Sequence, residues 1–346
     1  MAGTPSNPHD TFFKEVFSRP REAAGFLQAY LPQDLAAAIR WETLTWVNGR
    51  FRNEDGSQRE ADLVFSAMLE VAPEEAPQPL EIAILFEHQS TPDGQMPLRL
   101  LTYMRDLIKA QLDDGRHQRP VPVIPVVLYH GETPWTAPES FADWMRLPAA
   151  ARPLVAPFIP DFRYVLEQRR PPHPDAYRGP DLVRLVRLAL DYMRSDDFLR
   201  HLETAPWLGI LYRVDPERAG PESEPILDAF SRYVYTVRQD DAVPVVRILR
   251  AANATRTTEI AMNAWEQAIE KGRVEGRVEG RVEGRVEGRV EGFAEMLGRL
   301  CEHRFGALPK RALERIRGAD HATLLLWADR VLSANTLDEV FGGLPN

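Results

Sequence analysis

Asp62, Glu87 and Gln89 are the side chains whose types and spacing are best suited to joint chemistry. Asp62 lies in the apolar run Ala61-Asp62-Leu63-Val64-Phe65-Ser66-Ala67-Met68-Leu69, preceded by Arg59-Glu60. Glu87 and Gln89 lie near the end of a second run, Leu80-Glu81-Ile82-Ala83-Ile84-Leu85-Phe86-Glu87-His88-Gln89-Ser90. Both have the length and composition of strands, and a Pro/Glu-rich loop, Val71 to Pro79, separates them. Strand side chains alternate faces, so Glu87 and Gln89 point one way while Phe86 and His88 point the other. If Asp62 lies across from Glu87, two carboxylates converge at the end of a buried sheet, which is costly unless a cation neutralises them. Oxygen donors of this kind suit Mg²⁺ or Mn²⁺, with waters completing the shell, and such a site hydrolyses phosphodiesters. The plainer reading is that both acids are strand-end residues, solvated or paired with arginine.

The flanking segments must position these groups. Asp10 reads as an N-cap before Phe13, Val16 and Phe17, which repeat at helical spacing. Helices are expected from Arg21 to Leu31, ended by Pro32, and from an Asp34 cap through Ile39. Trp41 to Val47 alternates as a strand, and Asn53-Glu54-Asp55-Gly56 has turn chemistry. Met96 to Leu112 predicts a helix covering the sheet through Leu98, Leu101, Met104, Leu107 and Ile108. Val121 to Tyr129 is nearly all apolar, as a strand buried on both faces would be, so the fold class is α/β with a mixed sheet.

Several pieces together resemble one known family. They are His9-Asp10 with Phe13-Lys14, Ala61-Asp62-Leu63-Val64, Phe86-Glu87-His88-Gln89-Ser90-Thr91-Pro92-Asp93, and Pro125-Val126-Val127-Leu128-Tyr129-His130-Gly131 with Pro134-Trp135. Their order and content are similar to the Rpn/YhgA family of recombination-promoting nucleases, also described as transposase-like, over roughly the first half of the chain. The resemblance implies a PD-(D/E)XK, restriction-endonuclease-like core of mixed sheet flanked by helices, with Asp62 as the motif's Asp and Glu87 as its Asp/Glu. It implies Mg²⁺, or Mn²⁺, held by Asp62, Glu87 and the backbone carbonyl of His88. Gln89 falls where the general pattern has Lys. An amide can orient water but carries no positive charge, and Lys14 is a candidate substitute. The Glu-x-Gln form is itself part of the family resemblance.

Composition limits the alternatives. The chain has 346 residues and a net charge of −9, with no strongly basic segment, so it is not built to coat nucleic acid nonspecifically. An acidic nuclease remains feasible, because metal ions bridge carboxylates to phosphate. The one cysteine, Cys301, leaves no internal disulfide and no Cys-rich zinc site. His88 and His130 have no zinc-like spacing to partners and read as structural histidines. Neither Gly-x-Ser-x-Gly nor Gly-x-x-x-x-Gly-Lys occurs, which removes the sequence-level case for a serine hydrolase or P-loop NTPase. With no signal peptide or membrane-length apolar run visible, a cytoplasmic protein is expected.

The C-terminal half reads as all helical. Prolines cluster from Pro153 to Pro180, and apolar helical spacing follows at Leu182, Leu185, Val186 and Ala189 and again over Ile226 to Val237 and Val243 to Leu249. Five copies of Arg-Val-Glu-Gly then fill Arg273 to Gly292. On a helix each column of that repeat drifts by about 40° per copy. Its glycines cost about 1 kcal/mol each relative to alanine. Like charges also meet at i,i+4, so an isolated helix should be weak. The repeat is either a self-associating stalk, with Arg opposite Glu on a neighbouring helix, or a solvated spacer. Residues 293–346 turn amphipathic again and resemble a small helical C-terminal domain of unknown function often appended to such nucleases. The expected organisation is a nuclease-like core at 1–170, a helical region at 175–270, the repeat at 271–292 and the helical domain at 293–346.

The resulting expectation is a metal-dependent DNA endonuclease linked to recombination or transposon-type activity. It would have DNA as its partner and a homo-oligomer through 271–292 or the helical region. The alternative is a weak or inactive oligomeric scaffold that binds DNA or protein, supported by Gln89 and by the lack of a basic stripe.

Overall fold

The computed structural model describes residues 7–47, 49–52, 58–70, 79–113, 115, 119–238 and 242–342. The expected turn at 53–56 and nearly all of the loop at 71–79 lie outside them. Helices α1 (Pro8–Phe17), α2 (Pro20–Tyr30) and α3 (Gln33–Ala38) lead into strand β1 (Ile39–Val47), a small hairpin of β2 (Arg50–Arg52) and β3 (Gln58–Glu60), and strands β4 (Leu63–Glu70) and β5 (Pro79–Gln89). Next come α4 (Met96–Asp113), β6 (Val123–Tyr129), the short helices α5 (Phe141–Trp144) and α6 (Arg152–Val155), and β7 (Val165–Glu167). The main sheet has the order β1-β4-β5-β6-β7. β1, β4 and β5 run antiparallel, and β6 and β7 join β5 in parallel.

This sheet is mixed and covered on both faces, which explains why its strands read as apolar runs rather than as simple alternation. One face, with Phe65, Ile84, Phe86 and Leu128, packs into the main core against α1 and α2. The other, with Val64, Leu85 and Val127, packs with Leu100 and Leu107 of α4. The α4 face differs from the one expected. Leu107 is buried, but Leu98 is 41% exposed, and Leu100 takes the inward position. Leu101 and Ile108 are half-buried and line a shallow outer groove with Leu112.

The helical half continues with α7 (Asp181–Tyr192), α8 (Phe198–Leu202), α9 (Ala205–Val214), α10 (Pro216–Ala219), α11 (Glu224–Arg238) and α12 (Ala242–Ala251). Their apolar faces enter the same core as the sheet, through residues such as Leu188, Trp207, Phe230 and Ile248. The chain divides into two compact units, Met1–Glu266 and Gln267–Asn346. Helix α13 (Thr255–Phe305) runs unbroken through the repeats for 51 residues. The second unit closes a small core around Leu297, Cys301, Leu324 and Trp327, with α14 (Lys310–Arg317), α15 (His321–Val331) and α16 (Leu337–Phe341). Among the described residues no helix is long and apolar enough to cross a membrane.

Candidate active site

The antiparallel register pairs Leu63 with Phe86, which sets Asp62, just before β4, opposite Glu87. Backbone N–H groups of Asp62 and His88 clamp the pair. The Asp62 N–H donates to Glu87 Oε1 at 3.1 Å, and the His88 N–H donates to Asp62 Oδ2 at 2.9 Å. Each carboxylate therefore has one oxygen held by a peptide N–H. The other oxygen of each meets a cation. Lys14 Nζ lies 3.2 Å from Asp62 Oδ1, and Arg99 Nη2 donates to Glu87 Oε2 at 2.8 Å.

Lys14 reaches the site from α1, where it also pairs with Asp10, one turn earlier, at 3.2 Å. Asp10 is not the helix cap. Asn7 is, accepting from the His9 N–H through its side chain, because Pro8 begins the helix and leaves Asp10 inside the first turn. The resulting charge sequence is Asp10, Lys14, Asp62, Glu87, Arg99, with the two carboxylates adjacent at its centre. Arg99 escaped sequence reading. It sits on α4 beyond a loop, and its only sequence signal is a cation placed in the first turn of the helix expected to cover the sheet.

Burial dominates the electrostatics. Glu87 is fully buried. Burial, reinforced by the charge of Asp62, lifts its carboxyl to about 8 against the pull of Arg99. Burial also raises Asp62, opposed by the His88 N–H and Lys14. For Lys14, burial would lower the ammonium, but Asp62 and Asp10 outweigh it and raise it. Two such carboxylates side by side favour additional positive charge.

Gln89 follows Glu87 on the same face and is half-buried, and its carbonyl accepts the His130 N–H at 3.1 Å. His88 turns its ring to the opposite face. There it stacks on Phe13 and on His130, with centroids 4.6 and 4.5 Å apart. Burial holds both histidines well below their usual range. His88 thus meets the site through its backbone, and its observed contact with Asp62 is the N–H.

No cluster of three or more His, Cys, Asp or Glu side chains suited to an ion occurs among the described residues. The side-chain donors available at this site are the carboxylates of Asp62 and Glu87. They are hard oxygen donors, and their shared burial gives them a demand for cationic charge, so the pair fits a magnesium-type ion whose shell is completed largely by water.

Residues 7–211 match the family described as "Putative transposase, YhgA-like". The chain is 31% identical over 156 residues to recombination-promoting nuclease RpnA of Escherichia coli K12, covering 45% of this chain and 51% of that one. It is 31% identical over 206 residues to recombination-promoting nuclease RpnD of Escherichia coli O157:H7, covering 57% and 72%. It is also 30% identical over 152 residues to the inactive recombination-promoting nuclease-like protein RpnE of Escherichia coli K12, covering 44% and 48%. The chain thus spans about half the length of RpnA and of RpnE. No solved structure matches it significantly. With the family match covering more than half of the chain and taking in Lys14, Asp62, Glu87 and Arg99, this protein belongs to the YhgA-like family that contains the recombination-promoting nucleases.

Proposed function

We propose that this protein is a metal-dependent DNA endonuclease of the PD-(D/E)XK type, acting in recombination or transposon-type processes. The observation that carries this reading is the Asp62–Glu87 carboxylate pair clamped by the Asp62 and His88 N–H groups. Backbone N–H groups fix one oxygen of each carboxylate, and the other two are offered to cations. Asp62 and Glu87 would hold Mg²⁺ or Mn²⁺, with the His88 carbonyl as a further donor. When bound, the ion supplies acidified water and neutralises charge building on the phosphate. Gln89, on the Glu87 face, orients the attacking water by hydrogen bonding and cannot itself take the proton. Lys14 opposes the burial-driven rise of Asp62 and directs its Oδ1.

Supercoiled plasmid with Mg²⁺ tests the reading. Wild-type protein should nick it, and Asp62→Ala should not while melting as a folded protein. Identical behaviour of the two would favour the second reading, a non-catalytic scaffold, which draws support from the missing Lys at Gln89 and from the inactive relative. Heating scans supply an independent readout. Asp62→Asn or Glu87→Gln should melt higher than wild type in EDTA, by removing the cost of burying carboxylate charge and then the carboxylate repulsion, and should lose the Mg²⁺-dependent rise of the wild type. A lower melting point in both buffers would mark the pair as structural.

Self-association through the repeat helix is part of the same reading. Val274 and Val278 are 47% and 57% exposed, and the sequence places one arginine and one glutamate in every four residues, a period suited to charge pairing with a second copy. Two cores on one assembly would engage two phosphodiesters at raised effective concentration. A cytoplasmic location accords with this role.

A further inference from the structure

The Glu87–Arg99 pair is unequal. Glu87 is fully buried, whereas the Arg99 side chain is 35% exposed. One guanidinium nitrogen donates to Glu87 Oε2, the other lies 3.8 Å from Asp93, and the group, 5.7 Å from the centre of the Tyr103 ring, also hydrogen-bonds the Tyr103 side chain. A guanidinium carries five N–H donors in a planar fork that matches two oxygens of a phosphate, and only part of that fork is used here. Glu87 Oε1 is already held by the Asp62 N–H. Oε2 is therefore the oxygen an incoming ion would take, and Arg99 stands on it. Gln89 brings no positive charge to the same face.

We propose that Arg99 is the phosphate-contacting residue of this site. It holds Glu87 Oε2 while no divalent ion is bound, and turns its fork to the nonbridging oxygens of the scissile phosphate once an ion takes that oxygen. The proposal rests on the nuclease reading above. Lys14 is less able to fill this role. Its ammonium lies between Asp62 and Asp10 at 3.2 Å from each, so release from Asp62 leaves it tethered to Asp10. Arg99, by contrast, has its remaining contacts on Tyr103, one turn along α4, and, at 3.8 Å, on Asp93 in the loop before α4.

Two measurements on the full chain separate this role from that of a structural counter-ion. Mn²⁺ binding, followed by the electron paramagnetic resonance signal of free Mn²⁺ without DNA, should be about threefold tighter in Arg99→Gln, because the ion no longer displaces a part-exposed ion pair. Plasmid nicking at saturating Mg²⁺ should fall about 100-fold in the same variant. Arg99→Lys should recover part of the nicking, as a charge without the fork. Thermal melting of both variants controls for folding. Loss of Mn²⁺ affinity together with nicking would make Arg99 only the counter-ion of Glu87 and overturn the proposal. So would undiminished nicking by Arg99→Gln beside an active wild type, which leaves the nuclease reading intact. A wild type that fails to nick, just as Asp62→Ala does, removes that reading and this proposal with it.

Discussion

Glycine is used in opposite ways in the two units. Gly131, just after β6, is buried, and a Cβ there would overlap the Tyr129 hydroxyl and the Ser90 carbonyl. Ser90 follows Gln89, so the absence of a side chain at 131 lets the β6 end close against the end of the site strand. The repeat glycines Gly276, Gly280, Gly284 and Gly288 have no atom within 4 Å of such a Cβ. In the first unit a glycine is required by packing within the chain. In the repeat it costs helix stability with no packing contact in return, so the same residue type serves geometry in one place and leaves a bare surface in the other.

The largest test of this contrast is Gly131→Ala. Overpacking backbone and a buried tyrosine should destabilise the first unit by about 3 kcal/mol, read as a lower urea midpoint, and should disturb nicking along with it. An unchanged midpoint would mean that the sheet end is loosely packed and the contrast overstated.

Acid should weaken the first unit through its buried imidazoles. His9 is pushed down to about 4 by burial and by Arg194, and it faces Tyr233 of α11 and His130 after β6. Unfolded histidine binds its proton near pH 6.5 while folded His9 does not, so the unfolded state gains protons as pH falls. The stability His9 contributes is present above pH 6.5 and is lost progressively toward its folded value. The stability difference between wild type and His9→Gln should therefore shrink by about 2 kcal/mol between pH 6.5 and 5 in urea titrations. A constant difference would show that the ring is hydrated.

A smaller change of opposite sign is expected in the repeat. Gly280→Ala or Gly284→Ala should strengthen α13 by about 1 kcal/mol each, seen as slower amide exchange along the helix and no shift in first-unit unfolding. Smallest for the stability of the first unit is deletion of Arg273 to Gly292, which removes five whole repeats and should leave its midpoint unchanged. Light scattering should then report a smaller assembly, and the ratio of linear to nicked plasmid should fall. If mass and cut pattern both stay constant, the repeat is a spacer, and any dimer belongs to the helices between Pro180 and Glu270.

Much of this was legible because it depends on local periods. The apolar, β-branched and aromatic runs Leu63 to Leu69 and Leu80 to Phe86 placed both strands, and the two-residue period of a strand set Glu87 and Gln89 on one face and turned His88 away. The nearly all-apolar Val121 to Tyr129 announced a strand covered on both sides. The helix containing Leu98 to Ile108 was equally legible, but its inward face was not. Two apolar stripes run along it, and only docking on the sheet chose Leu100 and Leu107 over Leu98. The cap before α1 was misplaced for a related reason, since Asp10 and Asn7 both have capping side chains and Pro8 decides between them.

By itself, the sequence determined the pair of carboxylates, their strands and the glutamine where a lysine is usual. It also offered Lys14 as a candidate beside them, but only the tertiary structure decided that Lys14 and Arg99 are the charges that surround them. Lys14 comes from a helix 48 positions before Asp62, and Arg99 from a helix beyond the loop after β5. No periodicity connects such residues. What joins them is the closing of α1 and α4 onto the end of the sheet, which buries Glu87 completely and leaves Lys14 and Arg99 as its nearest sources of compensating charge.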